Sequence, residues 1–184
     1  MNPTLGELVV GTLGAPARLG RTRLVLVDGP AGSGKTTLAA RLGAALGAQV
    51  LHGDDMYEGW TGLSTLDRVL AQVLEPLARG ETGGFRRWDW HASARAEEIR
   101  VPVDDALVIE GVGVASRAAR VHASSVIYVD APWELRLARG IARDGEAMRA
   151  EWERWHVAED RHLAGEGARD AAGWVIDGTR PVPA

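Results

Sequence analysis

Apolar positions along this chain of 184 residues fall into two rhythms. Five short continuous runs are rich in β-branched residues: "TRLVLVD" (Thr22–Asp28), "AQVLHGD" (Ala48–Asp54), "ALVIEG" (Ala106–Gly111), "SSVIYVD" (Ser124–Asp130) and "GWVIDG" (Gly173–Gly178). Unbroken apolar runs, as opposed to strict alternation, predict strands covered on both faces, as in a parallel sheet. Between them the spacing predicts helices over Thr36–Leu46, Ser64–Arg79, Pro132–Arg143 and Glu146–Leu163, with Ser64 as an N-cap and Pro132 in a first turn. Strands alternating with helices imply βαβ units in a doubly wound α/β domain. No repeat, linker or low-complexity tract interrupts residues 1–184, so one domain is expected.

The stretch from about Gly53 to Asp105 is long for a connection and includes "GETGGFRRWDWHASARAEEIRVPVDD", rich in glycine, arginine and tryptophan. Long connections in compact domains are usually functional or mobile. This one leaves the carboxyl end of a strand, the side on which open α/β sheets bind ligands.

Composition changes the picture only by exclusion. The hydrophobic fraction of 46% and charged fraction of 25% are ordinary for a globular protein. A net charge of -4 is unlike the basic footprint of a nucleic-acid binder, and the absence of cysteine removes disulfide and cysteine-zinc sites. "LGELVVGTLGAPARLG" has neither the basic start of a signal peptide nor the ~20 apolar residues of a membrane span. A soluble cytoplasmic protein without nucleic-acid or membrane partners is expected; the sequence leaves its oligomeric state open.

Candidate chemistry begins between the first strand and the first helix. Gly29-Pro30-Ala31-Gly32-Ser33-Gly34-Lys35-Thr36 matches G-x-x-x-x-G-K-[ST], in the strand-to-helix context the motif needs. Its glycines let the backbone wrap a phosphate chain so that successive N–H groups form an anion nest, and the helix start adds unpaired donors. Gly29, Ala31, Gly32, Ser33, Gly34, Lys35, Thr36 and Thr37 are therefore expected to hold a nucleoside triphosphate. Lys35 is expected on the β- and γ-phosphates, and the Thr36 hydroxyl on Mg²⁺.

Acids at the strand ends extend the site. Glu110 closes the third strand, where P-loop proteins commonly place an acid acting on Mg²⁺ or its waters. Asp54 and Asp55 follow the second strand; Asp54 either accepts the proton of an attacking hydroxyl or caps the turn, with Asp55 the other candidate base. Arg136, Arg139 and Arg143, at i, i+3 and i+7, share a helical face that either stabilises a transferring phosphoryl group or is solvated surface. Gly140 and Gly145 would let that segment, about 132–147, hinge as a lid. Among seven tryptophans, Trp152, Trp155 and Trp174 read as core, whereas Trp60, Trp88 and Trp90 either line a pocket or pack under a loop. Arg86, Arg87 and His91 either hold an acceptor or are solvated; His52, His122, His156 and His162 read as structural or exposed.

Taken together, "GPAGSGKTTLA", "DDMY", "VIEGV" and "VDAPWELRLARGIARD" resemble the uridine kinase-like small-molecule kinases among P-loop proteins, over most of the chain. The resemblance implies a P-loop NTPase fold: a five-stranded parallel sheet, helices on both faces, and a lid. It implies ATP with Mg²⁺ and phosphoryl transfer to a hydroxyl of a small acceptor, a nucleoside foremost, with pantothenate, a sugar or a nucleoside monophosphate as alternatives. Asp54 maps onto the family's general base and Tyr57 onto the aromatic residue lining its acceptor pocket; "WDW" (Trp88-Asp89-Trp90) is similar to its aromatic-Asp-aromatic element. Asp55, Trp88, Asp89 and His91 are thereby expected at the acceptor, and Arg136, Arg139 and Arg143 at the phosphates. His91 directly follows the element here, whereas the family's histidine lies a few residues beyond it, and the tail after the lid is shorter. A nucleotide-dependent switch is the expectation of another class, disfavoured by the lack of an Asn-Lys-x-Asp element.

Overall fold

The computed structural model describes all 184 residues. All five predicted strands form: β1 (Arg23–Asp28), β2 (Gln49–His52), β5 (Ala106–Glu110), β6 (Ala123–Asp130) and β7 (Trp174–Asp177). They make one parallel sheet in the order β2-β5-β1-β6-β7. Successive residues of a strand face opposite ways, and β1 divides accordingly. Leu24 and Leu26 enter a core shared with α3 (Leu66–Ala78) and α6 (Arg149–Glu166), while Val25 and Val27 enter a second core under α1 (Leu5–Gly14) and α2 (Lys35–Leu46). The short helices α4 (Arg117–Arg120) and α7 (Ala168–Ala171) complete the first layer, and α5 (Trp133–Asp144) follows β6 beside the phosphate loop.

One local expectation changes, and two elements appear that the apolar pattern does not predict. Ser64 does not cap α3; it lies in a 3₁₀ stretch, Gly59–Thr65, with its hydroxyl donating to Thr61 C=O. The connection from Gly53 to Asp105 is largely ordered: β3 (Gly83–Asp89) and β4 (Ala94–Val101) pair antiparallel as a hairpin, rooted in the core by Phe85 and Val101. The N-terminal stretch is helical, started by a capping box in which Glu7 N–H donates to Thr4 Oγ1 and Thr4 N–H to Glu7 Oε2. No helix is long and apolar enough to cross a membrane.

Candidate functional site

Because β5 lies between β2 and β1, the carboxyl ends of three strands meet at one edge. The loop Gly29–Gly34 leaves β1 there and runs into α2. Gly29, Gly32 and Gly34 have φ of 134°, 76° and 105°, values that L side chains resist. The amides of Gly34, Lys35, Thr36 and Thr37 precede the first helical bond, from Leu38 N–H to Gly34 C=O (3.3 Å), and are the orphan donors of a helix start. Lys35 is buried, with Nζ donating to Pro30 C=O at 2.9 Å, so its charge lies inside the loop. Ser33 Oγ is buried without a partner, leaving a hydroxyl free for a ligand oxygen. These features fit a polyphosphate.

The acids converge on the same edge. Glu110, 5% exposed, accepts from Thr36 Oγ1 at 3.1 Å, so a hydroxyl and a carboxylate face each other as a pair of oxygen donors suited to Mg²⁺. His52 Nδ1 lies 2.8 Å from the same Glu110 Oε1, and this bond is the main reason the imidazole pKa is raised. His52 therefore lies beside the candidate metal acid, a placement its sequence context, read as structural or exposed, did not suggest. The signal is tertiary: β2 pairs with β5 in a register that sets His52 opposite Glu110.

Asp54 follows β2 in the 3₁₀ turn Gly53–Asp55. The residue is exposed, yet protein crowds its carboxyl. That crowding is the first cause of a pKa above the ordinary carboxylate value; Glu110 adds to the rise, while Lys35 and Arg143 oppose it. Asp54 is therefore within electrostatic reach of the loop lysine, the candidate metal acid and the end of α5. Asp55 is also shifted upward, first by burial, with His52 and Arg87 opposing. Asp28, fully buried behind the loop, accepts from the amides of Gly29, Gly113 and Ala115 and so fixes the turn after β5 against the turn after β1.

Several expected ligands of substrate have other partners. Tyr57 does not line an open pocket: it is 1% exposed, donates to Val112 C=O at 2.6 Å and packs on Trp155. The amide of Ala31 does not face the cradle, since it donates to Glu159 Oε2 at 2.8 Å. Arg136 is 4% exposed and bound to Glu159 and to the carbonyls of Ala31 and Ala131, so it braces the loop from behind and has no face toward phosphate. Asp89 caps the hairpin turn by accepting from His91 and Ala92 N–H, and His91 itself is exposed. Gly140 is not a hinge: a Cβ there would stand 2.3 Å from the Trp152 ring, so its role is close packing.

Arg139 donates to Gly32 and Gly178 carbonyls and remains exposed, while Arg143 pairs with Asp144 at the far end of α5. Trp90, at the hairpin tip, donates its indole N–H to Asp54 C=O (2.8 Å) and meets Trp60 edge-on. Trp88 carries the Arg95 guanidinium 5.7 Å above its ring.

A feature the sequence did not mark is the wall opposite the hairpin. A cavity of about 380 Å³ opens beside Ser33 and Gly34, between Thr37 and Arg41 of α2, Arg139 of α5, and Thr179 and Val182 beyond β7. Gly178 makes this possible, because a Cβ there would come within 2.1 Å of Ser33 C=O. The glycine just after "WVID" was the available signal.

Comparison with known proteins bears on the fold. A family model described as an AAA domain matches residues 24–99. The cytidylate kinase of Natronomonas pharaonis is 32% identical over 125 residues, 68% of this chain; the chain spans only 60% of that protein's length. A solved structure described as a possible uridine kinase from Bacillus stearothermophilus superposes with a TM-score of 0.67 at 25% identity, over 94% of this chain and 97% of that one. Shikimate kinase from Bacteroides thetaiotaomicron shares the fold, with a TM-score of 0.50 at 12% identity over 85% and 86% of the two chains. The chain has the P-loop kinase fold, and it resembles the uridine kinase-like small-molecule kinases.

Proposed function

We propose that this P-loop chain is an ATP- and Mg²⁺-dependent kinase acting in the cytoplasm on a hydroxyl of a small metabolite, a nucleoside foremost. The observation that carries the reading is a convergence at one sheet edge: the loop with Lys35 inside it, the Thr36–Glu110 pair, and the exposed carboxylate of Asp54, which feels the charges of Lys35, Glu110 and Arg143. A degenerate binding module or a switch has no need of a candidate base so placed.

In this reading the amides of Gly32 and of Gly34 to Thr37 and the Lys35 ammonium hold the triphosphate, and its adenine lies in the cavity toward Thr179 and Val182. Thr36 and Glu110 hold Mg²⁺, which when bound neutralises charge on the β- and γ-phosphates. Asp54 accepts the proton of the acceptor hydroxyl as its oxygen bonds to the γ-phosphorus; the β–γ bridging P–O bond breaks and its electron pair leaves on ADP. Arg143, at the end of α5 and within electrostatic reach of Asp54, supplies positive charge, while Arg139 holds the loop carbonyls. The hairpin, with Trp88 and Trp90, and Asp55 form the acceptor side and help exclude water, which limits wasteful hydrolysis.

The 32% identity to a cytidylate kinase favours a second reading, in which the acceptor is a nucleoside monophosphate. Release of ADP from Mg·ATP, followed across uridine, cytidine, CMP, simple sugars and pantothenate, tests both. Turnover that depends on a nucleoside supports the first reading, and turnover that depends on CMP the second. Hydrolysis indifferent to every acceptor sinks the kinase assignment. Lys35→Ala is expected to abolish turnover in either case.

A further inference from the structure

Ala31, in the middle of the phosphate loop, is gripped by both of its backbone groups. Its N–H donates to Glu159 Oε2 (2.8 Å) on α6, and its C=O accepts from Arg136 Nη1 (3.3 Å) on α5. The same Nη1 donates to Glu159 Oε1 at 2.5 Å. One ion pair, with side chains 5% and 0% exposed, thus closes around a single loop residue. Arg136 Nε is tied to Ala131 C=O, and Glu159 Oε2 also accepts from Trp155 Nε1 (3.1 Å), so neither partner is free to turn. One turn along α5, Arg139 Nη1 donates to Gly32 C=O at 3.1 Å and reaches Ser33 C=O at 3.5 Å.

The consequence follows from peptide geometry. In a planar trans peptide, the C=O of one residue and the N–H of the next point in opposite directions. Fastening the carbonyls of Ala31, Gly32 and Ser33 toward α5 turns the amides of Gly32, Ser33 and Gly34 away from α5, to the concave side where Lys35 Nζ lies; the Ser33 amide donates there to Pro30 C=O (3.3 Å), which leaves those of Gly32 and Gly34 for a ligand. The side chain of Glu159 is an anion behind a loop that must receive a polyanion, and its pairing with Arg136 cancels that charge locally.

We propose that Glu159 is a positioning residue for the nucleotide: paired with Arg136, it sets the peptide orientation of the phosphate loop through Ala31. The proposal rests on reading the loop as a phosphate site, and not on which hydroxyl is phosphorylated. Glutamine at this position has one acceptor oxygen where glutamate uses two, so Glu159→Gln cannot keep both the Ala31 and the Arg136 bonds. The double variant Arg136→Met/Glu159→Gln removes the buried charges together and keeps the fold neutral there.

Calorimetric titration of Mg·ADP, well below each variant's melting temperature, is the test. Both variants are expected to bind about tenfold more weakly than the parent, with the KM for the acceptor within about twofold. Leu77→Ala, on the buried face of α3, is expected to lower the melting temperature without moving the affinity for Mg·ADP. If either Glu159 variant, folded by cooperative melting, binds Mg·ADP within twofold of the parent, the positioning role is wrong. A parent that binds Mg·ADP but phosphorylates nothing sinks the kinase reading and leaves this test intact; a parent that binds no nucleotide overturns both.

Discussion

Burial raises the pKa of Asp54 above the usual carboxylate value, and a stronger base takes a hydroxyl proton more readily. Asp54→Asn is expected to leave Mg·ADP affinity near that of the parent and to cut kcat by ~10²–10⁴, the range of a lost general base. Only the ionised form can accept a proton, so kcat/KM of the parent is expected to fall as pH drops through this raised pKa. That acid limb should therefore lie above the ordinary carboxylate range; a profile that stays flat down to it would remove Asp54 from the role. Asp54, Glu110, Lys35 and Thr36 were legible in the sequence for one reason: parallel strands end at a common edge, and these residues sit at strand ends or in the loop motif. Arg136 was misread because helical spacing gives an angle and not a partner, and Tyr57 because the resemblance carried over a pocket position that its buried ring does not take here. The partners of Arg136 lie across the fold, on α6 and the phosphate loop.

Elements whose apolar residues form a run could be read, and those whose charges dominate could not. The hairpin of β3 and β4 buries only its root, at Phe85 and Val101; along "RRWD" and "ARAEE" both faces are polar, so no period of two emerges. The helix α1 contains Gly6 and Gly11, which lower helical propensity, but its Thr4-x-x-Glu7 capping box was a signal that went unused. The hairpin reaches the candidate base through one bond, from Trp90 Nε1 to Asp54 C=O. Trp90→Phe keeps an aromatic face, smaller than the indole, and loses the donor, which for a typical hydrogen bond is worth about 0.5–1.5 kcal/mol. The acceptor KM is expected to rise about three- to tenfold, with the affinity for Mg·ADP unchanged. If the nucleotide term moves and the acceptor term does not, the hairpin does not form the acceptor side.

At the scale of the molecule, the phosphate loop is where the layers are joined. Asp28 ties it to the turn after β5, Arg136 and Arg139 tie it to α5, Glu159 to α6, and Ser33 packs on the turn after β7. A ligand that binds this loop stabilises the native state by mass action, since the unfolded chain has no such cradle. At a hundred times its Kd, Mg·ADP adds about 2.7 kcal/mol. For a chain of this length, each kcal/mol moves the melting temperature by about 2–4 °C, so a rise of roughly 5–10 °C is expected. Lys35→Ala removes the one ammonium inside the loop and should abolish most of that shift at the same ligand concentration. The acceptor alone, bound against the hairpin and the 3₁₀ turns, touches fewer of these joints and is expected to give a smaller shift. A parent whose unfolding is indifferent to Mg·ADP would mean that the loop does not bind phosphate, whatever its sequence matches.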